Sequence, residues 1–253
     1  MKDFSNYMSD VFSCAFKVQT AVICLKEESY KLANDVSHVH DLLDCINSIE
    51  MTPEIKGVLI QHDAEFERVD ELKSFIQAIQ KESGYVKKEM GVTRYGNSIK
   101  RITLALNDFS KPIVIGIKGK VAIDSFGYFL PCDYRIATDD MRVEFPGLEI
   151  GITPMGAVPF FLKRQLGTTK ATEILMSGKS LSAQEAKEIS LVSQIVTNEE
   201  LNDACWAKLQ EFYKVPGQTL NFTKQLVRPK TYELEEYFEM SMRLIWNSII
   251  DDK

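Results

Sequence analysis

The sequence predicts a mixed α/β fold, and three observations carry the prediction. Two short apolar runs, GVLI at 57–60 and IVIGI at 113–117, have the length and continuity of strands buried on both faces. Other segments repeat their apolar residues at helical spacing. Strand and helix alternate along the chain, the order of an α/β architecture rather than of an all-helical or all-β one.

Taken in order, residues 11–25 read as two strands joined by a polar turn at Gln19-Thr20. Val36, Val39, Leu42, Leu43, Ile46 and Ile49 make residues 34–50 an amphipathic helix, closed by Pro53. After the strand at 57–60, residues 70–108 read as charged helix broken near Gly84, Gly91 and Gly96. The strand at 113–117 is followed by a turn over 118–125 and a short helix that Pro131 stops. Residues 134–138 and 143–145 read as further strands, and the second half is mostly helical. Ser182 and Glu185 form a capping box, in which a hydroxyl and a carboxylate three residues apart satisfy the free N–H groups of a helix start reciprocally. Thr197 and Glu200 repeat the pattern, with Val196 and Leu201 as a hydrophobic staple, and 191–196 lies between as a strand. Leu201, Cys205, Leu209 and Phe212 share one helix face. Residues 231–250 form a last helix with Tyr237, Ser241, Leu244, Ile245 and Ile249 near one side. No linker, repeat or low-complexity segment divides the chain. Residues 1–230 are therefore expected as one core domain, and residues 231–253 as a C-terminal helix that forms an oligomer contact.

Composition excludes several function classes. At 253 residues and 45% apolar content the chain can bury a large core. Thirty basic against 36 acidic residues leave a formal charge of −6, so no basic field draws nucleic acid or anionic lipid. The five cysteines are odd in number and form no CxxC pair, which fits buried reduced thiols. The first ten residues hold no apolar signal core, so the expected location is the cytoplasm. No apolar run approaches the roughly 18 residues of a membrane span. The three histidines crowd into the first quarter without metal-ligand spacing, so no metal is expected. A nucleotide-binding glycine loop, GxGxxG or Walker type, is absent.

Several stretches together resemble the crotonase (enoyl-CoA hydratase/isomerase) superfamily: PEIKGVLI at 53–60, KPIVIGIKG at 111–119, CDYRIA at 132–137, PGLEIG at 146–151 followed by Ile152-Thr-Pro154, and Leu162 through Ala186 with its LxRxxG and SAQEA segments. They occur in the family's order and spacing over roughly residues 12–227. The resemblance implies a crotonase-like spiral of ββα units with a helical C-terminal extension, and a homotrimer or dimer of trimers. It also implies a thioester substrate, with coenzyme A or an acyl carrier as part of the substrate and no separate cofactor. The shared chemistry would be an oxyanion hole, in which two backbone N–H groups hold the thioester oxygen as an enolate forms. By resemblance those donors fall at Val69-Asp70 and at Asp124-Ser125.

The chain departs from the family where the chemistry lies. The family's glycine-rich oxyanion turn reads Ile123-Asp124-Ser125, and the segment matching its other donor reads ERVDE at 67–71. The positions of the two hydratase glutamates hold Gly127 and Gly147, and an isomerase carboxylate position holds Met155. Hydration needs one base to activate water and one acid to protonate carbon, so ordinary hydratase chemistry is not expected. Asp124 is open to three readings: an N-cap of its own helix, a general acid/base facing the pocket, or a solvated side chain. Glu149, two residues past the lost glutamate, is either a replacement acid or a solvated loop charge. Glu144 is expected to point outward, and Asp133 to hold a turn. Lys224 resembles a lysine that the family sometimes sets against coenzyme A phosphates, and reads otherwise as a solvated helix lysine. Gly119-Lys-Val121, Pro154, Pro159-Phe160 and Lys163-Arg164 resemble crotonase-like dehydratases and decarboxylases of polyketide clusters. The decarboxylases' lysine–histidine pair cannot be assembled here, because no histidine follows His62.

Two functions remain open on this reading. One is an acyl-thioester enzyme, an isomerase or lyase with non-standard enolate chemistry. The other is a non-catalytic crotonase-fold protein that binds a thioester or a partner subunit.

Overall fold

The computed structural model describes residues 2–26, 32, 35–62, 69–154 and 156–250. The chain opens with β1 (Asn6–Met8), β2 (Phe12–Lys17), β3 (Thr20–Leu25), α1 (Val36–Met51) and β4 (Gly57–His62). Next come α2 (Val69–Lys81), α3 (Tyr85–Asp108), β5 (Ile113–Ile117), β6 (Lys120–Ala122), α4 (Ile123–Phe129), β7 (Tyr134–Thr138) and β8 (Arg142–Glu144). The second half holds α5 (Pro146–Glu149), α6 (Val158–Ser177), β9 (Leu181–Ser182), α7 (Ala183–Glu188), β10 (Gln194–Val196), α8 (Leu201–Phe212), α9 (Gly217–Val227) and α10 (Thr231–Ile250).

A seven-stranded sheet runs in the order β1-β2-β3-β4-β5-β7-β10, and a three-stranded sheet in the order β6-β8-β9. The first two pairings of the large sheet are antiparallel and the other four parallel. Parallel neighbours need crossovers, and the helices that supply them cover the sheet. Along β3, β4 and β5, alternate residues face opposite ways. Ile23, Ile60 and Ile115 join the main core with α1 and α3, whereas Val22, Leu59 and Val114 form a second cluster with Cys205 and Leu209 of α8. Burial on both faces is why these strands read as unbroken apolar runs.

Five sequence expectations need correction. Gly91 and Gly96 do not break α3. An added Cβ at Gly91 would lie 3.1 Å from Ile79, and one at Gly96 would overlap the Met242 thioether, so both glycines serve helix–helix approach. The stretch 118–125 is not one turn, since it contains β6 and the first residues of α4. The hairpin turn lies one residue earlier than expected, between Lys17 and Thr20. The second capping box is only half built: the Glu200 carboxylate accepts from Thr197 N and Oγ1, but Glu200 itself is the N-cap of α8 and makes no side-chain cap bond. Leu244 of α10 is exposed, and the buried side is formed by Leu234, Phe238 and Ile245. The Ser182–Glu185 capping box is present in full. All five cysteines are free and buried.

Candidate functional site around the start of α4

β5 ends at Ile117, β6 runs alongside β8, and the chain enters α4 at Ile123. Ala122 is the N-cap and has no side chain able to cap, so Asp124 stands one residue inside the helix rather than at its cap. The N-cap reading of Asp124 is therefore replaced, and so is the solvated one. The side chain is 2% exposed, Ser125 beside it is equally buried, and Asp124 Oδ2 is fully enclosed. Above this turn stands Tyr237 of α10, whose hydroxyl donates to the Gly156 carbonyl at 3.1 Å. Burial first, and the Asp124 charge second, push the Tyr237 phenol up, so it keeps its proton. The sequence placed Tyr237 only on a helix face; nothing local marks a tyrosine 113 residues from Asp124 as its neighbour.

The two glutamate positions are closed rather than open. An added Cβ at Gly127 would lie 3.0 Å from both Ala157 N and Gly156 Cα. At Gly147 it would lie 3.3 Å from the Ile152 carbonyl oxygen. Thr103 Oγ1 donates to the Gly127 carbonyl at 3.1 Å, tying α4 to α3 as well. Gly156 has a φ of 74°, a conformation glycine adopts without strain, and a Cβ there would meet the Asp124 carbonyl oxygen at 3.0 Å. Backbone therefore fills the space that longer side chains would need. Met155, and the 67–68 part of the other donor segment, lie outside the described residues.

Val69 and Asp70 fall in the first turn of α2, Val69 half-buried and Asp70 exposed. α2 contacts β6, the strand leading into Asp124, so the structure brings the two expected donor segments to the same end of the fold. Glu149, the last residue of α5, forms an ion pair with Lys73 of α2 and its side chain is 67% exposed. It reads as a surface charge holding α5 to α2. Glu144 turns not to open solvent but to Ser180, whose Oγ donates to it at 3.1 Å.

Lys224 lies elsewhere and is not a solvated lysine. It is buried, donates to the Lys111 carbonyl, and pairs with Asp133 at 3.0 Å. Burial outweighs that pairing and lowers its pKa to about 8. Asp133 also accepts from Ile113 N at 2.7 Å and from Arg228 at 2.7 Å. Arg135 is buried likewise, donating to the Leu191, Leu130, Cys132 and Ser190 carbonyls. The charged residues of the CDYRIA stretch thus stitch strand ends together. This knot stands at the entry of β5, a strand's length from Asp124 at its exit, and Lys224 is engaged within it.

An apolar cavity of about 40 Å³ lies between the sheet and α1 and α3, with Tyr128 and Phe129 of α4 in its wall. It is about the size of one or two water molecules. Among the described residues no cluster of His, Cys, Asp and Glu could hold a metal, and no helix is long and apolar enough to cross a membrane.

A parallel-stranded spiral with a short helix opening at its catalytic turn defines the crotonase class. The enoyl-CoA hydratase/isomerase family model matches residues 19–253. A "Probable enoyl-CoA hydratase" of Bacillus subtilis is 26% identical over 200 residues, covering 78% of this chain and 74% of that protein. The crystal structure of enoyl-CoA hydratase from Bacillus halodurans superposes with a TM-score of 0.82 at 19% identity, covering 95% of each chain. That of an enoyl-CoA hydratase/isomerase from Pseudoalteromonas atlantica gives 0.75 at 18% identity, covering 95% of this chain and 92% of the other. The chain belongs to the enoyl-CoA hydratase/isomerase family.

Proposed function

We propose that this protein binds an acyl thioester at the α2–α4 end of the fold and processes it through an enolate without hydrating it. The observation that carries the reading is the pairing of a buried carboxylate with two occupied glutamate positions. Asp124 is enclosed at the oxyanion turn, while backbone excludes any acid from residue 127. First-turn N–H groups have no acceptor within their own helix, so those of α4 and α2 are suited to stabilise a thioester oxygen as charge develops on it. Asp124 then moves the α-proton, and Tyr237, held protonated beside it, supplies a fixed donor. The reaction class is isomerisation, decarboxylation or cleavage. The apolar cavity beside Tyr128 and Phe129 favours a short acyl group. The functional unit is a homotrimer or dimer of trimers.

The test is turnover of a panel of short acyl-CoA thioesters by wild type and Asp124→Asn. The substitution is expected to lower kcat by at least about 100-fold, the scale of a lost general acid/base, with little change in KM. Unchanged turnover would overturn the role of Asp124. A second reading, a non-catalytic thioester or partner binder, is favoured by the tight contact of residues 156–157 on Gly127. Thioester binding without turnover in wild type would decide for it.

A further inference from the structure

On the outer face of the large sheet, away from the core shared by α1 and α3, lies a second cavity that the thioester chemistry does not use. It has a volume of about 270 Å³ and sits beside the exits of β4 and β5, under the start of α8. In parallel sheets, ligands bind outside the carboxyl ends of strands. Its polar lining is cationic and amide-rich: Lys17 from β2, Lys118 just after β5, and the carboxamides of Gln61, Asn198 and Asn202. No carboxylate lines it among the described residues. Neither lysine is engaged in a hydrogen bond or ion pair there. In a chain of net charge −6, two unneutralised ammonium groups facing one concavity are not the expected outcome of random surface placement. The floor is apolar, formed by Val22 and Cys205, with the Trp206 indole at one side.

We propose that this cavity is a binding site for a phosphate monoester carrying an apolar or planar group, such as a nucleotide. Lys17 and Lys118 would hold the phosphate and the carboxamides would donate to its remaining oxygens. Val22, Cys205 and Trp206 would cover the attached group. Lysines bind phosphate as point charges, so no glycine-rich loop is required. The volume exceeds what a bare phosphate needs, which is why an ester rather than the free ion is the inferred occupant. The site stands apart from the Asp124 turn and does not rest on the thioester reading.

Isothermal titration calorimetry on the intact protein tests it, with adenosine 3′,5′-bisphosphate and inorganic phosphate as probes and sulfate at equal ionic strength as control. The bisphosphate is expected to bind, inorganic phosphate to bind more weakly, and the Lys17→Ala/Lys118→Ala double variant to lose at least about tenfold in affinity, as for a removed charge-assisted contact. Lys17 is exposed and Lys118 half-buried, so the double variant should keep the wild-type melting temperature without ligand. No binding of either probe to wild type, equal binding of sulfate, or undiminished binding to the double variant would overturn the proposal. Competition with coenzyme A separates the sources of the phosphate. Displacement makes the occupant the nucleotide end of a thioester, and simultaneous binding makes it an independent phosphate ester.

Discussion

Gly127 shows how one residue can decide the chemistry of a site. In the family's pattern this position carries a catalytic glutamate, and here its missing Cβ lets the 156–157 backbone close to 3.0 Å. Backbone cannot swing aside as a flexible side chain can, so reintroducing the acid means moving the turn. Two effects compete. Replacing a helical glycine gains up to about 1 kcal/mol in helix propensity. Overpacking a tight site costs about 1–3 kcal/mol, and more when charge is buried as well. The second should win: Gly127→Glu is expected to lose about 2–3 kcal/mol in urea denaturation and to gain no hydratase activity. Gly147→Glu should cost less, because the nearest atom is farther, at 3.3 Å. Equal or higher stability of Gly127→Glu would mean that the turn opens readily and that the site is not closed. Lys224 teaches the complementary lesson. A lysine in a helix reads as solvated, but Asp133 and the Lys111 carbonyl draw it inside. One aspartate that satisfies Ile113 N, Lys224 and Arg228 explains the conspicuous acid of the CDYRIA stretch without catalysis.

Among the elements, α3 departs most from its local sequence signals. Three glycines within 13 residues suggested a broken segment, because helix propensity counts each as a cost. Only Gly84 interrupts the helix, at a φ of 111°. Gly91 and Gly96 are retained inside it because α2 and α10 press against those positions, a reason that becomes visible only once the helices are placed. The α3–α10 contact also carries Tyr237 to the Asp124 turn, so its geometry bears on the site. A Cβ at Gly96 would overlap Met242, whose thioether end can move. Gly96→Ala is therefore expected to cost about 1–2 kcal/mol by overpacking. Combined with Met242→Ala, the double variant should be more stable than the sum of the single changes by at least about 0.5 kcal/mol. Additive effects in a denaturation cycle would show that the two positions do not touch.

Across the whole molecule, the fold was legible because its motifs are spread in order along the chain and each marks a strand end or a helix start. The buried strands 57–60 and 113–117 and the Ser182 box declared themselves through composition and spacing alone. The state of the site was not legible. It depends on residues 156–157 meeting Gly127 and on Tyr237 meeting Asp124, contacts between positions 30 and 113 residues apart that leave no periodic trace. Assembly is the remaining property at this scale. Beyond its buried side, α10 exposes Tyr232, Met240 and Leu244, and α9 exposes Phe222, Leu226 and Val227. Single exposed apolar residues are ordinary, but six on two consecutive helices make a surface suited to association. Light scattering is expected to give a mass of three or six times the chain's 28.8 kDa. A glutamate at Leu244 or Leu226 would then place a charge in an interface that cannot solvate it, and dissociation should follow at micromolar concentration. Because both side chains are exposed in the single chain, at 54% and 85%, the isolated subunit should tolerate the same substitutions. Loss of the oligomer with far-UV circular dichroism unchanged would therefore place the contact on these helices. A wild-type monomer, or an oligomer indifferent to both substitutions, would exclude them as the contact.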